Sequence, residues 1–199
     1  MKTLPIAPKP AKTAPGEVRI IGGIWKRSKL SVPAKPGLRP TPDRVRETLF
    51  NWLGQDLTGL RCVDAFAGSG ALGFEAASRG AKDVLLIEQD AQLTTHLHAH
   101  KTRIKADNTR IQRGDGVAFL RSLPKASVDV VFLDPPFDSS LFFQAIEAAA
   151  GVISQQGAIY LEAPEVWMDE QLAAYGLKVI KQGQAGAVHF HLLQKPANH

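Results

Sequence analysis

The stretch that most constrains this chain is 61–73, RCVDAFAGSGALG, where a short apolar run closed by an acid breaks into glycines and then turns helical. Val63, Ala65 and Phe66 have the character of a strand buried on both faces. Gly68 and Gly70 permit a tight turn with close backbone approach, and Ala71, Leu72 and residues 75–78 suit a helix. A helix that starts here leaves its first N–H groups without partners, so a polar or anionic ligand is expected over the end of the sheet. Gly68, Gly70 and Gly73 also fit GxGxxG, a pattern shared by several cofactor classes and by chance loops. Two acids sharpen it. Asp64 closes the strand before the loop, and Glu88 closes a second apolar run, VLLIE, twenty positions after Gly68. An acid at the tip of the second strand suits the two hydroxyls of a ribose, which NAD and S-adenosylmethionine both carry.

At 199 residues with 44% apolar side chains, the chain suits one domain with a full core. No run approaches the length of a membrane span, and the N-terminus lacks the apolar block of a signal peptide, so the cytoplasm is expected. The single cysteine, Cys62, excludes disulfides within the chain and a multi-cysteine metal site, and it reads as core packing. Charge is unevenly spread. Residues 1–50 hold eleven Lys and Arg against three acids, whereas residues 51–199 hold thirteen against sixteen. A basic head on a mildly acidic domain suits a phosphate-rich partner, and a solvated basic tail is the plainer alternative.

Residues 1–16 mix Pro, Lys, Ala and Thr without periodicity and are expected to be a disordered basic tail. Residues 17–40 read as a hairpin extension, VRIIGG and SKLSV around IWKR, displaying Trp25, Lys26, Arg27 and Lys29 for RNA. A core Trp25 with ordinary surface lysines is the structural alternative. The segment GLRPTPDRVRETLFNWLG predicts a helix with Thr41 as N-cap, Pro42 in the first turn, Asp43 on the dipole, an apolar face of Val45, Leu49, Trp52 and Leu53, and Gly54 at its end. Arg39, Arg44 and Arg46 flank that helix start, and RNA, the cofactor carboxylate and mere solubility all remain open for them. From residue 61, strands near 61–66, 83–88, 109–113, 128–133 and 157–162 alternate with helices near 71–79, 90–105, 115–122, 139–150 and 167–174. That alternation implies a parallel sheet covered on both faces, closed by an antiparallel hairpin from GLKVIKQG and AVHFHLLQ.

A second stretch, VVFLDPPFD at 130–138, delivers Asp134, Pro135, Pro136 and Phe137 at a strand's carboxyl end, the edge where open α/β sheets bind ligands. The prolines stiffen the turn and leave carbonyls free to accept. Asp134 and the Pro135 carbonyl can take both hydrogens of an exocyclic amine while Phe137 stacks on the base that carries it. Holding those hydrogens out of the ring plane localises the nitrogen lone pair toward an incoming methyl group.

DAFAGSGALG, Glu88, RGD with Asp115, and DPPF together resemble the class I S-adenosylmethionine-dependent methyltransferases of base amines. More narrowly, VRIIGG, GLRPTPDRVRETLFNWL, FAGSGALG and FLDPPF in this order resemble the RsmD family, bacterial methyltransferases of 16S rRNA guanine N2, from about Val18 to the C-terminal hairpin. The resemblance implies a Rossmann-like α/β fold with a mostly parallel seven-stranded sheet over 41–199. It places Asp64, Phe66 and the Gly68–Ser69–Gly70 loop around the methionine part of S-adenosylmethionine, and Glu88 on the ribose. Gly114, Asp115 and Gly116, with Val117 alongside, fall at the adenine, and 134–137 at the target guanine. The implied partner is 16S rRNA within the small ribosomal subunit, with no membrane and no metal, and a monomer is expected.

Asp115 also reads as a plain helix cap. His96 and His100 share a helical face without a third ligand, and His189 and His191 read as surface residues of an edge strand. Ser69 lacks a partnered His nearby in sequence, which argues against hydrolysis. The competing functions are a DNA or RNA adenine-N6 methyltransferase, for which a larger target-recognition insertion is missing, a nicotinamide oxidoreductase, which would share the glycine loop alone, and a non-catalytic RNA-binding module.

Overall fold

Strand and helix alternate from residue 61 as the hydrophobic patterning requires, and the computed structural model describes residues 16–38, 40–137 and 140–197. In chain order the elements are β1 (Gly16–Arg19), β2 (Lys29–Val32), α1 (Asp43–Trp52), β3 (Arg61–Asp64), α2 (Ala71–Ser78), β4 (Asp83–Glu88), α3 (Ala91–Ile104) and β5 (Thr109–Arg113). There follow α4 (Gly116–Ser122), β6 (Val128–Leu133), α5 (Leu141–Val152), β7 (Ile153–Ala163), α6 (Asp169–Leu172), β8 (Lys178–Ala185) and β9 (Val188–Gln194). β1 and β2 form a two-stranded antiparallel sheet. The other seven are ordered β5-β4-β3-β6-β7-β9-β8, parallel from β5 to β7 and antiparallel across β9 and β8.

Successive residues of the central strands feed two cores, as the two-residue strand period dictates. Cys62, Val84, Leu86, Phe132 and Tyr160 face α1, α2 and α3, while Val63, Leu85, Ile87, Val131 and Ile159 face α4 and α5. Cys62 is core, as expected, and burial pushes its thiol up to about 12. The β1–β2 unit buries Val18, Ile20, Leu30 and Val32 in the same core as α1. Residues 1–15 of the tail expected at 1–16 and Arg39 lie outside the described residues, while Gly16 is not tail but opens β1 by pairing with Val32.

Four expectations are corrected. Pro42, not Thr41, caps α1, without a side-chain bond, because the Thr41 hydroxyl donates to Glu162 Oε1 at 2.7 Å. A buried carboxylate needs that donor more than helix N–H groups that water can reach. His191 is buried rather than at the surface, because β9 lies between β7 and β8 and leaves β8 as the edge. Its Nε2 accepts the Trp167 N–H at 3.1 Å, which holds that buried tryptophan outside any helix, so the element expected near 167–174 shrinks to α6 and one 3₁₀ turn. Arg46 is likewise fully buried and unable to reach RNA or cofactor.

Arg46 belongs to a buried network centred on Glu75 of α2. Glu75 Oε2 accepts from Arg46 at 3.0 Å and from the Ile21 N–H at 2.9 Å, and Oε1 accepts from the Gly22 N–H at 2.8 Å and from Arg79 Nε at 2.9 Å. Arg46 further donates to the Thr41 and Arg19 carbonyls and to Asp43. These bonds seat the N-terminal unit on α2. Ser78 adds to them, its hydroxyl donating to the Gly22 carbonyl while accepting the Trp25 N–H. Because removing one member of a buried pair leaves the other charge uncompensated, Arg46→Met is expected to lower the unfolding free energy by about 3 to 5 kcal/mol. Urea denaturation checks this, and a loss below about 1 kcal/mol, the range of exposed pairs, would count against the network.

Candidate active site

The strand order reverses between β3 and β6, and at such a switch point the carboxyl ends of the strands open a crevice. Four neighbouring parallel strands end in acids there, Glu88 on β4, Asp64 on β3, Asp134 just past β6 and Glu162 on β7. The glycine loop is braced by two of them. Gly68 N–H donates to Glu88 Oε2 at 2.9 Å, Asp90 N–H donates to Glu88 Oε1 at 2.8 Å, and Gly73 N–H donates to Asp64 Oδ2 at 2.9 Å. Gly70 adopts φ 81° at the start of α2, and a side chain there would stand 2.6 Å from the Phe74 ring. Ser69 is buried beside it and Phe66 half-buried before it.

Across the crevice Asp115 caps α4 through a 2.7 Å bond from the Ala118 N–H, so the plain cap reading holds whatever else this residue does. Gly116 packs so closely on β3 that a Cβ would stand 2.0 Å from the Ala65 carbonyl oxygen, with Val117 buried next to it. A strap formed by residues 33–38, 40 and 41 crosses this edge. Lys35 pairs with Asp90, a side chain at position 68 would stand 3.2 Å from Leu38 Cδ1, and Thr41 reaches Glu162.

Gathering carboxylates makes each harder to ionise. Burial pushes Asp64 up to about 7, with Glu88 and Glu162 adding to the effect and the N–H groups of Gly73 and Phe66 opposing it. Burial also raises Asp134 well above the usual carboxylate range, reinforced by Glu162 and Asp64. Glu162 is raised by burial, while the hydroxyls of Thr41 and Tyr160 hold it back. Asp134 is the member without donors, since its carboxylate accepts no hydrogen bond from the described residues. Pro135 beside it is buried, Pro136 is exposed, and Phe137 is 39% exposed with its ring centroid 6.4 Å from that of Phe142.

The basic residues read as RNA contacts are not gathered with these. Trp25 is half-buried against the core, and Lys26 and Arg27 are exposed on the turn docked at the Ser78 end of α2. That end lies roughly 12 Å along the helix from the glycine loop, at 1.5 Å per residue. Lys29 pairs with Glu17 at 3.1 Å. Arg44 is exposed in the first turn of α1, next to Thr41 and so at the crevice edge. Sequence reasoning missed Glu162 and Tyr160, although AIYLE repeats the acid-terminated apolar run of VLLIE and VVFLD. His100, weighed as a metal ligand, instead donates from Nε2 to the Ser31 carbonyl at 3.0 Å, and burial lowers its pKa. Among the described residues, no group of three His, Cys, Asp or Glu side chains is placed to hold a metal ion, and no helix is long and apolar enough to cross a membrane.

A mostly parallel seven-stranded sheet with one reversed strand, β9, next to its edge and its crevice at the β3/β6 switch puts the chain among the class I methyltransferases in fold. A solved precorrin-6y C5,15-methyltransferase from Geobacter metallireducens superposes with TM-score 0.66 at 19% identity, covering 83% of this chain and 93% of that one. Closer likenesses give the family. Residues 18–194 match the family described as Conserved hypothetical protein 95. The chain is 40% identical over 191 residues to Ribosomal RNA small subunit methyltransferase D of Escherichia coli strain K12, across 95% of this chain and 96% of that one. The solved Escherichia coli protein yhhF matches at 39% identity with TM-score 0.77, over 92% of this chain and all of that one. The chain therefore belongs to the ribosomal RNA small subunit methyltransferase D family and is a methyltransferase.

The raised Asp64 carboxyl has a consequence for stability. The folded protein holds that proton up to about 7, whereas the unfolded chain releases it near its ordinary value of 3.8. Folded protein thus binds more protons between these values, and Asp64's contribution makes stability fall as pH rises through this window. Asp64→Asn, which keeps an acceptor for Gly73, is expected to flatten that fall by roughly 1.4 kcal/mol per pH unit of displacement. Urea midpoints from pH 4 to 8 check it, and parallel curves for the two proteins would show that Asp64 ionises normally.

Proposed function

We propose that this protein transfers a methyl group from S-adenosylmethionine to the exocyclic N2 of a guanine in 16S rRNA, within the small ribosomal subunit, as a cytoplasmic monomer. The observation that carries this is Asp134, a carboxylate at the DPPF turn with no donor among the described residues, flanked by Asp64 and Glu162 and beside an exposed Phe137. A partly buried acceptor without a donor suits a substrate that brings one. An exocyclic amine brings two, and Phe137 offers its base a stacking face.

The crevice fits the cofactor by the same chemistry. S-adenosylmethionine would supply a methyl group on a cationic sulfur, and its ammonium adds a second positive charge in an edge lined by acids. Asp64, Phe66 and the 68–70 loop would surround the methionine part. Glu88 spends one lone pair on each N–H it accepts, and each oxygen has another for a ribose hydroxyl. Gly116 packs directly on Ala65, and the adenine ring would lie beside Gly114, Asp115 and Gly116. Asp134 and the Pro135 carbonyl would hold the amine hydrogens so that its lone pair faces the methyl group. Orientation supplies much of the rate, and Asp134 adds electrostatic help as the nitrogen becomes cationic. The guanine must leave its stack to enter.

The separation of Arg44 from Lys26 and Arg27 favours an extended, phosphate-rich substrate over a small molecule. The kinship with an enzyme named for small-subunit rRNA favours that RNA over DNA, and catalysis over binding alone; guanine N2 rests on the family resemblance of the sequence.

Incubation with labelled cofactor and unmodified small subunits, free 16S rRNA or DNA tests the substrate, and label appearing in DNA alone would overturn it. Asp134→Ala is expected to reduce single-turnover transfer about 100- to 1000-fold, with Asp134→Asn between it and wild type and cofactor affinity nearly constant in both. Near-normal turnover in Asp134→Ala would remove this loop from the chemistry. Glu88→Ala is expected to weaken S-adenosylhomocysteine binding by about 1 to 3 kcal/mol by calorimetry, and unchanged affinity in a folded variant would remove Glu88 from the cofactor site.

A further inference from the structure

Glu162 is a buried carboxylate that the transfer itself does not explain. Its Oε1 accepts two hydroxyl hydrogen bonds, from Thr41 at 2.7 Å and from Tyr160 at 2.9 Å, and such bonds favour the ionised form. The strand register says where that charge points. Val131, Phe132 and Leu133 of β6 pair in parallel with Ile159, Tyr160 and Leu161 of β7, so Asp134 and Glu162 are the next positions along neighbouring strands. Adjacent strands lie about 4.8 Å apart, and residues two apart share a face. Asp134 follows Phe132 by two and Glu162 follows Tyr160 by two, which puts both acids on the face of Phe132 and Tyr160. That face is covered by α1, with Thr41 just ahead of it.

We propose that Glu162 is a positioning residue for methyl transfer, a fixed negative charge anchored by Thr41 and Tyr160 that acts through Asp134 to make it a stronger acceptor for the target amine. The inference rests on the Asp134 reading above. In the step itself, N2 forms a bond to the methyl carbon as the carbon–sulfur bond breaks, leaving a neutral thioether and a positively charged nitrogen. That nitrogen then gives one of its protons to the Asp134 carboxylate, which passes it to water as product leaves. A like charge beside Asp134 opposes its ionisation when the site is empty and favours proton capture once the nitrogen is positive. The other ionisable groups acting on Asp134 or on its neighbours are Asp64 from β3, Glu88 from β4 and Tyr160 from β7, all acidic, and the buried Arg46 is already engaged by Glu75 and Asp43. Asp134 is raised by burial and then by Glu162, as this arrangement requires; burial raises Glu162 as well, and the hydroxyls of Thr41 and Tyr160 are what oppose that rise and favour its charge.

The test is the pH profile of single-turnover transfer to small subunits lacking the modification, using the full chain. Asp134 must be ionised to accept, so the rate rises through its titration, and a neutral neighbour lets it ionise at lower pH. Glu162→Gln, whose amide oxygen can still accept from Thr41 and Tyr160, is expected to move the acid limb down by about one pH unit or more and to lower the plateau. Cofactor affinity at pH 8 should stay within about twofold, less than 0.5 kcal/mol. Combined with Asp134→Asn, it should cost nothing further, because its effect runs through Asp134. A uniform loss at every pH, or losses that add in the double variant, would reduce Glu162 to a structural role and overturn the inference. If Glu162→Gln fails to fold, the wild-type protein carries the test through carbon-13-labelled Asp and Glu side chains, in which Glu162 is expected to ionise before Asp134 as pH rises. A Glu162 that still holds its proton when Asp134 has lost its own would overturn the proposal. An inactive Asp134→Ala with an unmoved Glu162→Gln limb would sink this inference alone, whereas an active Asp134→Ala would sink the reading beneath it.

Discussion

Concentrated negative charge at the carboxyl edge of the sheet is the constraint around which this molecule is arranged. Glu88, Asp64, Asp134 and Glu162 end four neighbouring strands, and burying like charges together is unfavourable unless donors or a cation compensate them. Among the described residues, three of the four receive donors. Backbone N–H groups of the glycine segment serve Asp64 and Glu88, which in turn hold the loop in its turn conformation, and two hydroxyls serve Glu162. Asp134 is left to the ligands. Negative charge gathered in this way favours cations and amine donors over the phosphates that a dinucleotide would bring to the same glycine turn.

The N-terminal unit looks like an appendage in sequence, but its attachments make it part of the site. Glu75 and Ser78 hold it against α2, and it leads to the strap whose Lys35 reaches Asp90 at one side of the crevice and whose Thr41 reaches Glu162 at the other. A disturbance in the Arg46–Glu75 network should therefore be felt at the crevice through Thr41, whose carbonyl accepts from Arg46 Nε at 3.1 Å while its hydroxyl serves Glu162. Stability and chemistry share this threonine.

Much of the scaffold could be read from the chain because the signals were local. β4, β5 and β6 lie where alternating apolar runs put them, and the acids ending VLLIE and VVFLD are visible without a fold, since an acid closing a buried run is unusual in itself. The boundaries that moved did so for tertiary reasons. β7 starts at Ile153, earlier than its apolar core suggested, because Ile153 pairs with Val128. The helix after β7 shortened because His191 claims the backbone of Trp167.

By itself, the sequence determined the alternation of elements, the glycine turn, the acids at the strand tips and the family resemblance, all properties of contiguous residues. Tertiary structure decided which charged groups belong to the site. Arg44 and Arg46 stand two positions apart in one helix, yet one faces solvent at the crevice edge and the other is buried against Glu75, since a helix turns about 100° per residue and α2 covers one side. Thr41, Tyr160 and Glu162 are brought together across 121 residues of chain by the packing of α1 on β7, a contact that no local pattern encodes.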